Sequence, residues 1–226
     1  MENEDSVKVG NVTIKWLGHA GFMIKGEDKT VYIDPYSLPE YIDFEDRADL
    51  ILITHDHYDH CSQEQVQKLW KGDATVLVPE SCDLRFVGDT RTVNSGDHLD
   101  EELKVKDFEI EIVPAYNIDK QFHPSGRGVG YIITIEDIRI YHAGDTDFIP
   151  QMKEISADVA LLPIGGTYTM DEEEAAEAAV AISPRMVIPM HYGMIDGTKA
   201  DPELFRQLVH RKNPEIEVSI LKVTTK

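Results

Sequence analysis

Cysteine and positive charge are both scarce in this chain. Only two of its 226 residues are cysteines, Cys61 and Cys82. That is too few for a disulfide framework and suits a reducing compartment. Lysine and arginine number 22 against 42 aspartates and glutamates, a formal charge of −20 at pH 7. So acidic a surface repels phosphate backbones, which makes nucleic acid a poor partner. No stretch approaches the roughly 18 consecutive apolar residues of a membrane-spanning helix, and the acidic residues 1–5 lack the apolar core of a secretory signal. The expectation is a cytoplasmic protein with no membrane partner, acting on a small molecule. No linker rich in Gly, Ser or Pro interrupts the chain, and no short-period repeat or low-complexity tract is present. Residues 1–226 therefore read as a single domain, with 42% hydrophobic residues to build its core.

Against that background one segment is dense in chemistry. Thr54-His55-Asp56-His57-Tyr58-Asp59-His60 holds three histidines and two aspartates in six consecutive positions. It follows the apolar run Leu50-Ile51-Leu52-Ile53, which reads as a buried strand. So many costly ionisable groups at one core edge need a compensating charge. Imidazole and carboxylate are ligands for zinc and neighbouring transition metals. His55 and His57, two apart in extended backbone, point to the same side. Asp59 and His60 follow a turn and can face a second position, so one segment could serve two ions. Cys61, next in sequence, reads as a small buried residue sooner than a thiolate ligand.

Three more strand ends carry ligand-type residues. His142-Ala143-Gly144-Asp145-Thr146 follows one, and Asp145 is suited to bridge two cations with its two oxygens. Met190-His191-Tyr192-Gly193 follows another. A third, Pro114-Ala115-Tyr116-Asn117, offers only Asn117 and, six residues on, His123. Arg127, between Gly126 and Gly128, reads as an exposed turn residue sooner than an anion clamp. His98 and His210 have no such context and read as surface residues.

The chain between these points alternates strand and helix. Strands are expected at 12–17, 22–24, 31–33, 50–53 and 74–78, then at 84–94 and 103–113. A hairpin at 129–135 and 138–142 turns on Glu136-Asp137, and strands at 158–162, 186–189 and 217–223 follow. Helices are expected at 62–71, 171–182 and 201–211, the first capped by Ser62 and the last opened by Asp201-Pro202. This order predicts two mixed sheets packed face to face with helices outside, an α/β (α+β) four-layer αββα sandwich.

The motif His55-x-His57-x-Asp59-His60, the turn Gly144-Asp145-Thr146 and the late His191 resemble the metallo-β-lactamase fold, over most of the chain from Trp16 to His191. Trp16-Leu17-Gly18-His19 and Tyr32-Ile33-Asp34-Pro35 are similar to the branch holding L-ascorbate-6-phosphate lactonase. The resemblance implies two divalent metal ions, zinc first, with manganese or iron as alternatives. His55 and His57 would hold the first ion. Asp59, His60 and His191 would hold the second, with Asp145 bridging. The first site's usual third histidine is missing at Asn117; either His123 reaches in, or Asn117 or water replaces it. Asp59 doubles as the residue that orients the nucleophile. His19 and His142 are further catalytic candidates near the site, and Asp56 could support a ligand histidine. The implied activity is hydrolysis of a small lactone, ester or phosphoester by a metal-bound hydroxide. The alternatives are a nucleotide or RNA phosphodiesterase, or a non-catalytic metal-binding protein. A homo-oligomer is suggested by analogy alone.

Overall fold

The structure, a computed structural model, describes residues 5–38, 42–84, 88–99, 105–106 and 108–223. Its two seven-stranded sheets follow the chain without skipping: β1 to β7 form one, β8 to β14 the other. Each half uses the same plan. In the first, β1 (Ser6–Val9), β2 (Val12–Gly18), β3 (Gly21–Lys25) and β4 (Thr30–Ile33) form an antiparallel meander. Parallel strands β5 (Ala48–Leu52), β6 (Trp70–Pro79) and β7 (Asp89–Val93) are added to β4. In the second, β8 (His98–Leu99), β9 (Glu109–Ala115), β10 (Gly128–Ile135) and β11 (Ile138–His142) are antiparallel. β12 (Val159–Pro163), β13 (Met186–Met190) and β14 (Glu217–Val218) extend them in parallel.

Burial on both faces explains the near-continuous apolar runs of the parallel strands. Along β5, Leu50 and Leu52 enter the core between the sheets, where they join Trp16, Phe22, Tyr131 and Leu161. Ile51 and the following Ile53 point the other way, onto Val66 and Leu69 of helix α1 (Gln63–Leu69). The second sheet's outer face is covered by α2 (Glu172–Ile182), through Ala175 and Ala179, and by α3 (Pro202–Lys212), through Phe205 and Val209. The result is the expected order of helix, sheet, sheet, helix.

Local signals placed most elements. Ser62, Asp171 and Asp201 cap their helices through side-chain oxygens, and Asp171 with Glu174 forms a reciprocal capping box. Glu136 and Asp137 both have positive φ, as the tight two-residue hairpin between β10 and β11 requires. Three expectations needed correction. Helix α1 stops at Leu69, not at 71, because Trp70 turns extended and pairs with Ala48. The closing strand pairs only at Glu217 and Val218; beyond Ser219 the chain leaves the ladder and Leu221 packs between the sheets. In the 84–94 and 103–113 segments the described strands are Asp89–Val93 and Glu109–Ala115, with a single isolated bridge between Val105 and Phe108; residues 85–87, 100–104 and 107 lie outside the described part.

Below the site the two sheets are tied by Tyr131 of β10. Its buried hydroxyl donates to the carbonyl of Ile53, at 2.8 Å, directly before the histidine segment. Tyr131→Phe leaves that carbonyl without its donor, which costs roughly 1–3 kcal/mol. We expect a lowered urea midpoint with an unchanged slope; an unaltered midpoint would show that the tie contributes nothing.

Candidate metal centre

The site lies where the parallel strands end. β4 delivers Asp34, β5 delivers residues 54–60, β11 delivers Asp145 and β13 delivers His191. The β2–β3 turn adds His19, and the loop after β9 adds His123. His19, Asp34, His55, Asp59, His60, His123, Asp145 and His191 are each at most 9% exposed. Two adjacent donor sets result. Nitrogens of His55, His57 and His123 form one set and donors of His19, Asp59, His60 and His191 the other, while His55, His60 and Asp145 make a group that overlaps both.

In the first set His55 Nε2 lies 3.0 Å from His57 Nδ1, and His123 Nε2 lies 3.3 Å from the same atom. Tetrahedral zinc with bonds of about 2.0–2.1 Å places its nitrogens roughly 3.3–3.4 Å apart, so this spacing fits an ion. Asp145 stands between the sets. Its Oδ2 is 3.2 Å from His123 Nε2 and 2.9 Å from His191 Nε2, and its Oδ1 is 3.5 Å from His60 Nε2. Yet His60 Nε2, His191 Nε2 and Asp145 Oδ1 are all buried without a hydrogen-bond partner. Orphaned donors and acceptors converging at such distances are expensive unless a cation joins them. The residues therefore fit a divalent metal in both sets.

The remaining contacts explain how each ligand candidate is aimed. Asp34, at positive φ after β4, accepts from Thr54 N (2.8 Å) and Thr54 Oγ1 (2.6 Å), and meets His60 Nδ1 at 2.7 Å. This fixes the His60 tautomer and turns Nε2 toward the cluster. Asn117 does not face the metal set. Its Oδ1 accepts from His123 N (3.0 Å) and lies 3.1 Å from His123 Nδ1, while its Nδ2 donates to Asp147 and to the Tyr168 carbonyl. The asparagine at the usual histidine position thus holds the loop that brings His123 in. Asp147 is itself held by Lys120 at 2.7 Å.

His19 joins the halves. Its Nε2 is 2.9 Å from Asp59 Oδ2, its ring lies 3.9 Å from that of His191, and its carbonyl accepts from Trp16 Nε1 and from His191 N. Gly165 allows this approach, since a β-carbon there would sit 2.3 Å from the His191 carbonyl oxygen. His142 is placed differently from its expected role. Nε2 donates to the Ala20 carbonyl at 2.8 Å and Nδ1 accepts from Gly144 N at 3.1 Å, so both ring nitrogens are spent on backbone. It braces the Asp145 turn and offers nothing to a substrate. Asp56 pairs outward with Arg127 at 2.8 Å. His98 and His210 are exposed, as expected. The sequence reading missed Asp34 as a positioning residue; its signal was an aspartate at a strand end, which alone reads as a turn former.

The electrostatics follow from burial and mutual charge. Burial drives His55 well below the ordinary imidazole value, and the neighbouring His60 adds to this. Burial alone would lower His60 too, but Asp145 and then Asp34 raise it to about 9. Burial would raise Asp145; His191 and His60 outweigh it and hold the carboxyl well below its usual range. Asp59 likewise resists burial through the His19 hydrogen bond and the His60 charge, and is an ionised carboxylate at neutral pH.

Comparison with known proteins agrees with this geometry. A model of the beta-lactamase superfamily domain matches residues 13–191. A UPF0173 metal-dependent hydrolase of Pyrococcus horikoshii is 38% identical over 93% of this chain and 96% of its own length. Another, from Caldivirga maquilingensis, is 36% identical over 92% and 94%. Igni18, a metallo hydrolase of Ignicoccus hospitalis, superposes with a TM-score of 0.76 at 27% identity, covering 95% of this chain and 96% of that one. The chain belongs to the beta-lactamase superfamily, among its metal-dependent hydrolases. These relatives' names carry no substrate, so the likeness to the ascorbate-6-phosphate lactonase branch stays a resemblance. No helix among the described residues is long and apolar enough to cross a membrane.

Two outcomes are expected. Asp34→Ala frees His60 to rotate and should lower metal affinity roughly 10–100-fold, as for other supporting partners of a ligand histidine. Competition against a chromogenic chelator reads this directly; wild-type affinity would rule the role out. The second concerns the metal-free protein. A histidine whose pKa is raised by folding contributes stability fully below its unfolded value of about 6.5, and loses it as pH rises through the folded value. His60, at about 9, should make chelator-treated protein less stable between about pH 6.5 and 9. Urea midpoints across that range test it, a flat profile being the contrary result.

Proposed function

We propose that the protein hydrolyses a small lactone, ester or phosphoester with two divalent ions, zinc first and manganese or iron as alternatives. The convergence of unpaired buried atoms on the shared carboxylate of Asp145 carries this reading. His55, His57 and His123 would hold one ion, and Asp59, His60 and His191 the other. Bound there, the pair would lower the pKa of water and polarise the oxygen under attack.

The chain's own residues supply orientation. His19 fixes Asp59 through Oδ2, which keeps the carboxylate turned toward the second donor set, where it would orient the attacking water. Its lowered pKa suits an acceptor that stays ionised while it orients the nucleophile. In ester cleavage the water oxygen bonds to the acyl carbon, the carbon–oxygen bond to the leaving group breaks, and the leaving alkoxide takes up the water's proton. Asp34 and Asn117 prevent His60 and His123 from turning away, which preserves the near-attack geometry on which rate depends.

Elemental mass spectrometry on protein purified without chelator or affinity metal should find close to two metal ions per chain. His123→Ala should retain about one. Asp145→Ala should lose both metal and turnover, by more than the roughly 10–100-fold expected of a supporting residue. Two ions retained by Asp145→Ala would end the bridging assignment. Absence of metal from wild type, even after zinc and manganese are added, would end the functional one.

A further inference from the structure

Beside the metal centre lies a cleft of about 250 Å³, room for roughly eight water-sized groups. Its inner wall is the centre itself, through Asp59, Asp145 and His191; its outer walls include Tyr58, Phe122, Tyr168 and Ile195. Two of the most exposed large hydrophobic side chains, Tyr58 and Phe122, line it. Among the described residues only five large hydrophobic side chains are markedly exposed. Four of them, Tyr58 (69%), Ile118 (55%), Phe122 (46%) and Met194 (39%), stand on the loops that carry the site. Phe122 packs edge-on to Tyr168 at 4.7 Å, and Tyr58 edge-on to Tyr36 at 6.1 Å. Exposed apolar side chains gathered at a catalytic mouth mark a binding surface.

Two cations near this mouth, Lys120 and Arg127, are committed elsewhere. Lys120 Nζ is held by Asp147 Oδ1 (2.7 Å), the Thr169 carbonyl (2.8 Å) and Glu174 (3.5 Å). Arg127 lines an adjoining hollow, which shares His57, Phe122, His123 and Asp145 with the cleft, and it pairs with Asp56. Among the described residues, no lysine or arginine lines the cleft. A phosphate or carboxylate on the distal part of a substrate would find no counter-charge, and would sit on a chain of net charge −20.

We infer that the cleft takes an uncharged acyl compound whose apolar part lies against Tyr58, Phe122 and Tyr168. Within the proposed hydrolysis, on which the choice of scissile bond rests, this means a neutral aryl- or alkyl-substituted lactone or ester. A phosphorylated or carboxylate-bearing one is disfavoured. Aromatic walls give contact area at little entropic cost and select flat or branched apolar groups without fixing a single one.

The test uses metal-loaded protein and a phenyl-substituted δ-lactone, its carboxylate- and phosphate-bearing analogues, and the matching lactam, which binds alike but resists hydrolysis. Turnover of the neutral lactone should exceed that of the charged analogues at least about tenfold in kcat/KM, since the charged group is desolvated without a partner. Calorimetry should show lactam binding weakened roughly tenfold in Phe122→Ala and again in Tyr58→Ala. Both positions are exposed, so the variants keep the core intact, and metal content confirms an intact centre. Equal or better turnover of a charged analogue, or unweakened lactam binding in both variants, would overturn the inference. Lactam binding that the variants weaken, with no ester, lactone or phosphoester turned over, would uphold the cleft assignment and sink the hydrolytic reading instead.

Discussion

Everything at the carboxyl edge of the two sheets depends on one electrostatic constraint. Asp145 is buried among His60, His123 and His191, and its Oδ1 has no hydrogen-bond partner. A buried carboxylate in that condition is tolerable only beside positive charge. In the metal-free protein His60, raised to about 9, carries part of that charge. Metal ions would replace the proton, because a ligating imidazole must be neutral. The same constraint that makes the centre costly when empty would favour a bound cation.

The architecture serves this by repetition. Each half runs four antiparallel strands and then parallel ones, and the parallel strands end at the same edge. The first half contributes Asp34 and residues 54–60, the second His123, Asp145 and His191. Neither half holds a complete donor set. Hydrogen bonds and a ring contact fasten them at the centre, among them His191 N to the His19 carbonyl, Tyr131 to the Ile53 carbonyl, His142 to the Ala20 carbonyl, Val129 N to the Thr54 carbonyl, and the His19–His191 pair. The inter-sheet core beneath is therefore what sets the ligand geometry.

Two histidines in the ligand region illustrate how position alone misleads. His142 directly precedes the Asp145 turn, yet spends both nitrogens on backbone and serves the fold. His123 sits in a loop with no periodic signal, yet its ring enters the first donor set because Asn117 and Asp147 brace the loop. The carboxylate that aims His60 comes from Asp34, 26 residues earlier in the chain, a separation no local pattern bridges. The aromatic mouth is scattered in the same way, with Tyr58, Phe122 and Tyr168 drawn from three loops.

The sequence by itself determined the layers, the helix caps, the hairpin at Glu136-Asp137 and the principal ligand candidates. These rest on local causes: periodic burial, capping chemistry, and imidazoles packed too densely at a strand end to remain without a cation. Tertiary structure alone decided that α1 ends at Leu69, that Asn117 is a brace and His123 its beneficiary, and that no lysine or arginine among the described residues lines the cleft. Those outcomes depend on which loops meet over the sheet edge. That is settled when the two halves bury their common core, and it leaves no trace in the spacing of residues along the chain.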